Sequence, residues 1–82
     1  MPTVLEENGF QVRIYLPPRE HQPPHVHVVK AGTEVVVRLG DSETPPQVAE
    51  VYGMHRADVM HAYRIVEANQ AMLLQKWRQH HG

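Results

Sequence analysis

Between Phe10 and Leu16 apolar and polar residues alternate, with Phe10, Val12, Ile14 and Leu16 falling on one side and Gln11, Arg13 and Tyr15 on the other. Period two is the mark of a strand with one buried face. A shorter apolar run, Thr3-Val4-Leu5, precedes it, and Glu7-Asn8-Gly9 lies between the two. Asn-Gly supplies the positive φ angles of a tight turn, so this segment predicts a β-hairpin. The next residues, Pro17-Pro18-Arg19-Glu20-His21-Gln22-Pro23-Pro24, carry four prolines and read as a stiff loop, because proline removes a ladder donor and holds its predecessor extended. Two β-branched runs follow, His25 to Lys30 and Thr33 to Leu39, separated by Ala31-Gly32, a second hairpin signal.

Gly40 to Pro46 is polar and ends in two prolines, so it reads as a connector, and residues 40–54 are assigned to it as a whole. Within it Gln47 to Tyr52 fits a helical turn or a short strand equally well. From residue 55 to 80 the pattern changes period: Val59, Tyr63, Val66, Leu73 and Trp77 recur at spacings of three, four and seven, with Ala62 and Leu74 widening the stripe. This predicts one amphipathic helix, at ~1.5 Å per residue longer than a small sheet can cover. Its distal half, with Met72, Leu73, Leu74 and Trp77, is expected to project and offer apolar surface to a partner subunit. The expected fold is a single α+β domain over residues 1–82. Residues 1–39 supply a mostly antiparallel sheet of about four strands, and one long helix closes the chain.

Composition narrows the field. A chain of 82 residues has room for one core only, and with no cysteine it has neither disulfides nor thiolate chemistry. No apolar run reaches the ~20 residues of a membrane span, and the first residues lack the basic start of a signal peptide, so a cytoplasmic location is expected and a membrane partner is not. Eight basic against nine acidic residues leave a net charge of −1, which gives no general attraction to nucleic acid and favours self-association. Seven histidines make the charge responsive to mild acid.

The candidate chemistry lies in His21-Gln22-Pro23-Pro24-His25-Val26-His27-Val28. Residues two apart on a strand share a face, so His25 and His27 project together and, if Val26 and Val28 face the core, outward. The proline-stiffened loop can bring His21 to the pair. Three imidazoles with an open fourth position suit a divalent transition metal such as zinc, whose bound water titrates near pH ~7. Glu20, Glu34 and Asp41 are the acidic groups that could support such a site. Without metal, His25 and His27 could act as base and acid on a phosphodiester, with Arg13, Arg19 or Lys30 holding the phosphate. Against both stands the plainer reading of histidines that hydrogen-bond neighbours or contact another chain. His55 sits at the helix N-cap position and His61 beside the polar face. His80 and His81 fall at a frayed helix C-terminus, where positive charge suits the dipole. Trp77 and Tyr63 read as core anchors.

These residues resemble the bacterial domain of unknown function 4160 family. The likeness is carried by Met1-Pro2-Thr3-Val4, Arg13-Ile14-Tyr15, His21 with Pro23-Pro24-His25-Val26-His27-Val28, and the run from Val66 to Trp77. The resemblance implies small proteins often encoded beside another small protein, in arrangements like toxin–antitoxin or regulatory modules, and it puts weight on His21, Pro24, His25 and His27 without giving them a role. The leading expectation is therefore a small cytoplasmic binding or regulatory protein that meets a protein partner, or forms a homo-oligomer, through the histidine face and the helix. The alternative is a histidine-based hydrolase or nuclease, metal-dependent or not, using His21, His25 and His27. A pH-responsive oligomer is a third reading.

Overall fold

The computed structural model describes residues 3–15 and 23–81. Five strands, β1 (Thr3–Glu7), β2 (Phe10–Arg13), β3 (His25–Lys30), β4 (Thr33–Arg38) and β5 (Gln47–Tyr52), form one antiparallel sheet in the order β1-β2-β3-β4-β5. Two helices follow, α1 (Arg56–Ala68) and α2 (Gln70–His81). The α+β class holds, with one strand and one helix more than the alternation and the helical stripe predict.

Both hairpins turn where the sequence placed them. Asn8 and Gly9 have φ of 51° and 84°, and Ala31 and Gly32 have φ of 49° and 79°, the two successive left-handed residues that suit the twist of paired strands. Ala31 takes that conformation against its own preference. Thr33 Oγ1 donates to the Lys30 carbonyl at 2.6 Å and closes the second turn.

Phe10, Val12, Ile14, Val26, Val28, Val35 and Val37 are each at most 1% exposed and share the face on which the helices pack. From α1 come Ala62, Ile65 and Val66, and from α2 Leu73 and Trp77. Lys30 pairs with Asp58 at 3.2 Å, its ammonium 4.8 Å from the centre of the Phe10 ring, and so fixes the first turn of α1 to the sheet. The His61 ring lies 4.9 Å from Phe10, and its Nε2 accepts from the Asn8 amide at 3.4 Å, so it packs on the first hairpin turn instead of facing water.

The single long helix is broken at Asn69, and the expected projecting half folds back onto the core. Asn69 has φ −119° and ψ 15°; its backbone N–H bonds to the Val66 carbonyl and its side-chain amide to the Ile65 carbonyl at 2.7 Å, competing with the helical ladder. Its own carbonyl then accepts from Leu73 N at 2.9 Å and starts α2. Gln70 secures the bend: Oε1 accepts from Gly40 N at 2.7 Å, and Nε2 donates to the Asp41 and Thr44 carbonyls at 3.2 Å. Leu73 and Trp77 are consequently 0% and 1% exposed.

Residues 47–52, open between helix and strand by sequence, are an edge strand exposed along its whole length. Between Val36 and Val37 the ladder slips, since Val36 faces Glu50 while Val37 faces Val48, which leaves Ala49 as an extra residue. Among the described residues no helix is long and apolar enough to cross a membrane.

Candidate functional site

Val26 and Val28 are fully buried, so His25 and His27 lie on the sheet face opposite the main core, as their alternation requires. Neither simply faces solvent. His27 stands opposite Arg13 on β2 and Val36 on β4, and its side chain is only 14% exposed. Its Nδ1 lies 2.6 Å from Glu34 Oε2, the diagonal neighbour on β4. His25 Nδ1 lies 2.9 Å from the Pro23 carbonyl. A carboxylate and a carbonyl can only accept, so both rings carry their proton on Nδ1, and in the neutral form Nε2 bears the lone pair.

The rings are part of a larger arrangement. Tyr15 meets His27 edge-on at 4.6 Å, His27 meets His25 at 5.2 Å, and His25 meets Trp77 at 5.0 Å. Trp77 stacks on His81 at 3.6 Å with planes 8° apart, and His81 Nε2 donates to the Tyr15 carbonyl at 2.9 Å. Five aromatic side chains thus form a closed circuit where β2 ends and β3 begins, and the end of α2 is fastened into it. Trp77 reaches the circuit because Leu73 and Trp77, four residues apart, present one face of α2. Two N–H groups nearby, Arg13 Nε and Trp77 Nε1, are buried without a hydrogen-bond partner among the described residues, while the Arg13 guanidinium donates through Nη2 to Gln11 at 2.5 Å.

A family model described as Domain of unknown function (DUF4160) matches residues 9–78. The chain belongs to that family. No curated protein and no solved structure matches it. In this DUF4160 domain the sequence's candidates separate into three groups. His25 and His27 come together, and Glu34, one of three acidic candidates, is the one on His27. His21, Glu20 and Arg19 lie outside the described residues. Asp41 and Lys30 lie elsewhere: Asp41 is in the 41–44 turn, where the Glu43 N–H and the Thr44 side chain hold its carboxyl below the usual range, and Lys30 is on the helix-facing side. Among the described residues no three His, Cys, Asp or Glu side chains gather as metal ligands.

Sequence reasoning missed His81, assigned to a frayed terminus, whereas Arg13, named there as a candidate phosphate holder, stands opposite His27 on β2. The signal for His81 was present in the spacing Trp77-x₃-His81, one helical turn, which puts the two rings over each other. His55 is the N-cap, with φ −64° and ψ 150°, though its side chain makes no capping bond.

Proposed function

We propose that this DUF4160 protein is a small cytoplasmic binding or regulatory protein that acts through protein contacts, as one component of a paired module of the toxin–antitoxin kind, and that its contact surface is the β5 edge. One observation carries this reading. The large exposed apolar side chains among the described residues are Val48, Val51 and Tyr52 on β5, at 42%, 46% and 53%, and Met60 on the adjoining α1, at 49%. An edge strand presents unpaired backbone donors and acceptors, and apolar side chains along it add affinity to strand addition. The histidine face supports contact less well, because His27 is largely covered and the circuit it belongs to anchors α2. The test is co-purification from the native host with wild-type protein and a Val51→Lys variant, each checked for fold by circular dichroism. A stoichiometric partner, either a second copy of the chain or a different protein, held by the wild type and lost from the variant is expected; a partner retained by Val51→Lys and lost on His25→Ala would move the surface to the histidines and overturn the proposal.

The histidine-based hydrolase is the second reading, and the fixed Nδ1 protons favour it. Metal-binding imidazoles characteristically donate their other N–H to a carboxylate or carbonyl, as His27 and His25 do to Glu34 and Pro23. Two imidazoles bound through Nε2 to a tetrahedral ion at ~2.0–2.1 Å have ring centres roughly 5 Å apart, and these lie at 5.2 Å. In a metal-free version, Glu34 would orient His27 as a base, with Arg13 beside it for an anionic substrate. Elemental analysis of untagged protein and of a His25→Ala/His27→Ala variant separates the readings: near-stoichiometric zinc that disappears in the variant, with phosphodiesterase turnover that disappears likewise, would put the hydrolase first.

A further inference from the structure

We propose that the occupant of the β5 edge is a second copy of this chain, its β5 paired antiparallel with the first about a two-fold axis passing between Ala49 and Glu50. This rests on the reading of β5 as a contact surface and commits it to one partner.

The argument comes from the bulge. A two-fold axis perpendicular to a sheet leaves every side chain on its own side, and residues directly opposite one another across an antiparallel pair share a side. Self-pairing about a point between two residues therefore needs a strand whose sequence of sides reads the same in both directions. A regular strand never satisfies this, because its sides strictly alternate. β5 does. Val48 and Val51 pair with Val37 and Val35 and so face the helix side, whereas Gln47 and Glu50 pair with Arg38 and Val36 and face the other side. Tyr52 shares the side of Glu50, to which its hydroxyl donates at 2.5 Å. With the extra residue Ala49 beside Glu50, the pattern from Gln47 to Tyr52 is symmetric about their midpoint.

In that register Val48 meets the partner's Val51, Val51 meets the partner's Val48, and Gln47 meets the partner's Tyr52. The two exposed valines of each copy are covered by each other, the kind of cross-strand pair that stabilises a sheet. Charge fits as well. β5 carries a single ionised residue, Glu50, which stands opposite the partner's Ala49 and so avoids a direct like-charge pair, and the net charge of −1 gives two copies little mutual repulsion. The assembly closes at two, since an edge used against itself leaves only the β1 edges open. Six paired residues a side make a small interface, so dissociation in the micromolar range is expected.

The experiment is sedimentation velocity on untagged full-length protein from about 1 to 500 μM, with Val51→Lys, Glu50→Gln and, as an off-surface control, Glu67→Lys. The proposal expects the mass to rise from 9.4 kDa toward twice that value with concentration. Val51→Lys should weaken association at least tenfold, Glu67→Lys should leave it unchanged, and Glu50→Gln should tighten it severalfold by removing two diagonal carboxylates. Slowing of β5 amide exchange with rising concentration gives the same answer without a substitution. A monomer at every concentration would overturn the second-copy proposal, yet leave β5 open to a different protein; a dimer indifferent to Val51→Lys, with β5 amides exchanging equally fast at both extremes, would overturn it too.

Discussion

His81 is the residue whose removal tests the packing account most sharply, because the sequence assigns it only a place at a frayed helix end and the fold gives it two contacts. Its ring stacks on Trp77 at 3.6 Å and its Nε2 reaches the Tyr15 carbonyl at 2.9 Å, tying the last turn of α2 to the end of β2. A stacked aromatic pair contributes about 0.5–1.5 kcal/mol beyond area burial, and a net hydrogen bond about the same. Fraying of a helix end offsets part of that, so His81→Ala is expected to cost about 1.5 kcal/mol. In a domain of this size that lowers the thermal midpoint by roughly 6–12 °C. Urea denaturation monitored by circular dichroism supplies the free energy, and two further variants divide it. His81→Phe keeps the stack and loses the hydrogen bond, while His81→Gln loses the stack. Each should fall between wild type and alanine. A loss below about 0.5 kcal/mol for His81→Ala, the usual range of surface substitutions, would refute the closed circuit as an anchor of α2.

Three further expectations follow from individual backbone and side-chain positions. Ala31 sits at φ 49°, so Ala31→Gly should raise stability by up to about 1 kcal/mol, measured by urea denaturation, since the strain relieved exceeds the added chain entropy. A Cβ on Gly40 would clash with the Thr44 carbonyl oxygen, and Gly40→Ala should destabilise by about 1–3 kcal/mol while loosening Gln70's hold on the turn, read as faster amide exchange at Gly40. Asp41's carboxyl is lowered by the Glu43 N–H and then by the Thr44 side chain, so its stabilising effect is present above the unfolded pKa of 3.8 and disappears as the pH falls through the folded value. The stability difference between wild type and Asp41→Ala should accordingly shrink between pH 5 and pH 3, and a difference independent of pH would contradict that assignment.

Where a single local rule governed the outcome, the fold was legible. Asn8-Gly9 and Ala31-Gly32 marked both hairpins, and the alternation of Phe10, Val12 and Ile14, and of Val26 and Val28, identified the core face. It was not legible where two rules competed. The bulge at Ala49 brings Val48 and Val51, three residues apart, to one face, a spacing that belongs to helices, so β5 could not be told from a helical turn. The helix break had a readable signal: counting three and four on from Val66, the stripe should continue at residues 69 and 70, where Asn and Gln stand instead. Long-range pairings such as His81 with Tyr15, or Gln70 with Gly40, depend on how helices return to the sheet and have no local signature. For the site, strand parity correctly set His25 and His27 side by side; what surrounds them, above all Glu34 and Trp77, came from the register and from the fold of α2.

The proposed role stands or falls on whether β5 meets another protein in the cell. A photo-crosslinking amino acid placed at Tyr52, in the native host, with the same probe at Glu67 on the exposed face of α1 as reference, tests this directly. The account predicts one discrete adduct from position 52, of a second copy or of a partner protein, and none from position 67. Equal, diffuse labelling from both positions, or an adduct from position 67 alone, would contradict it.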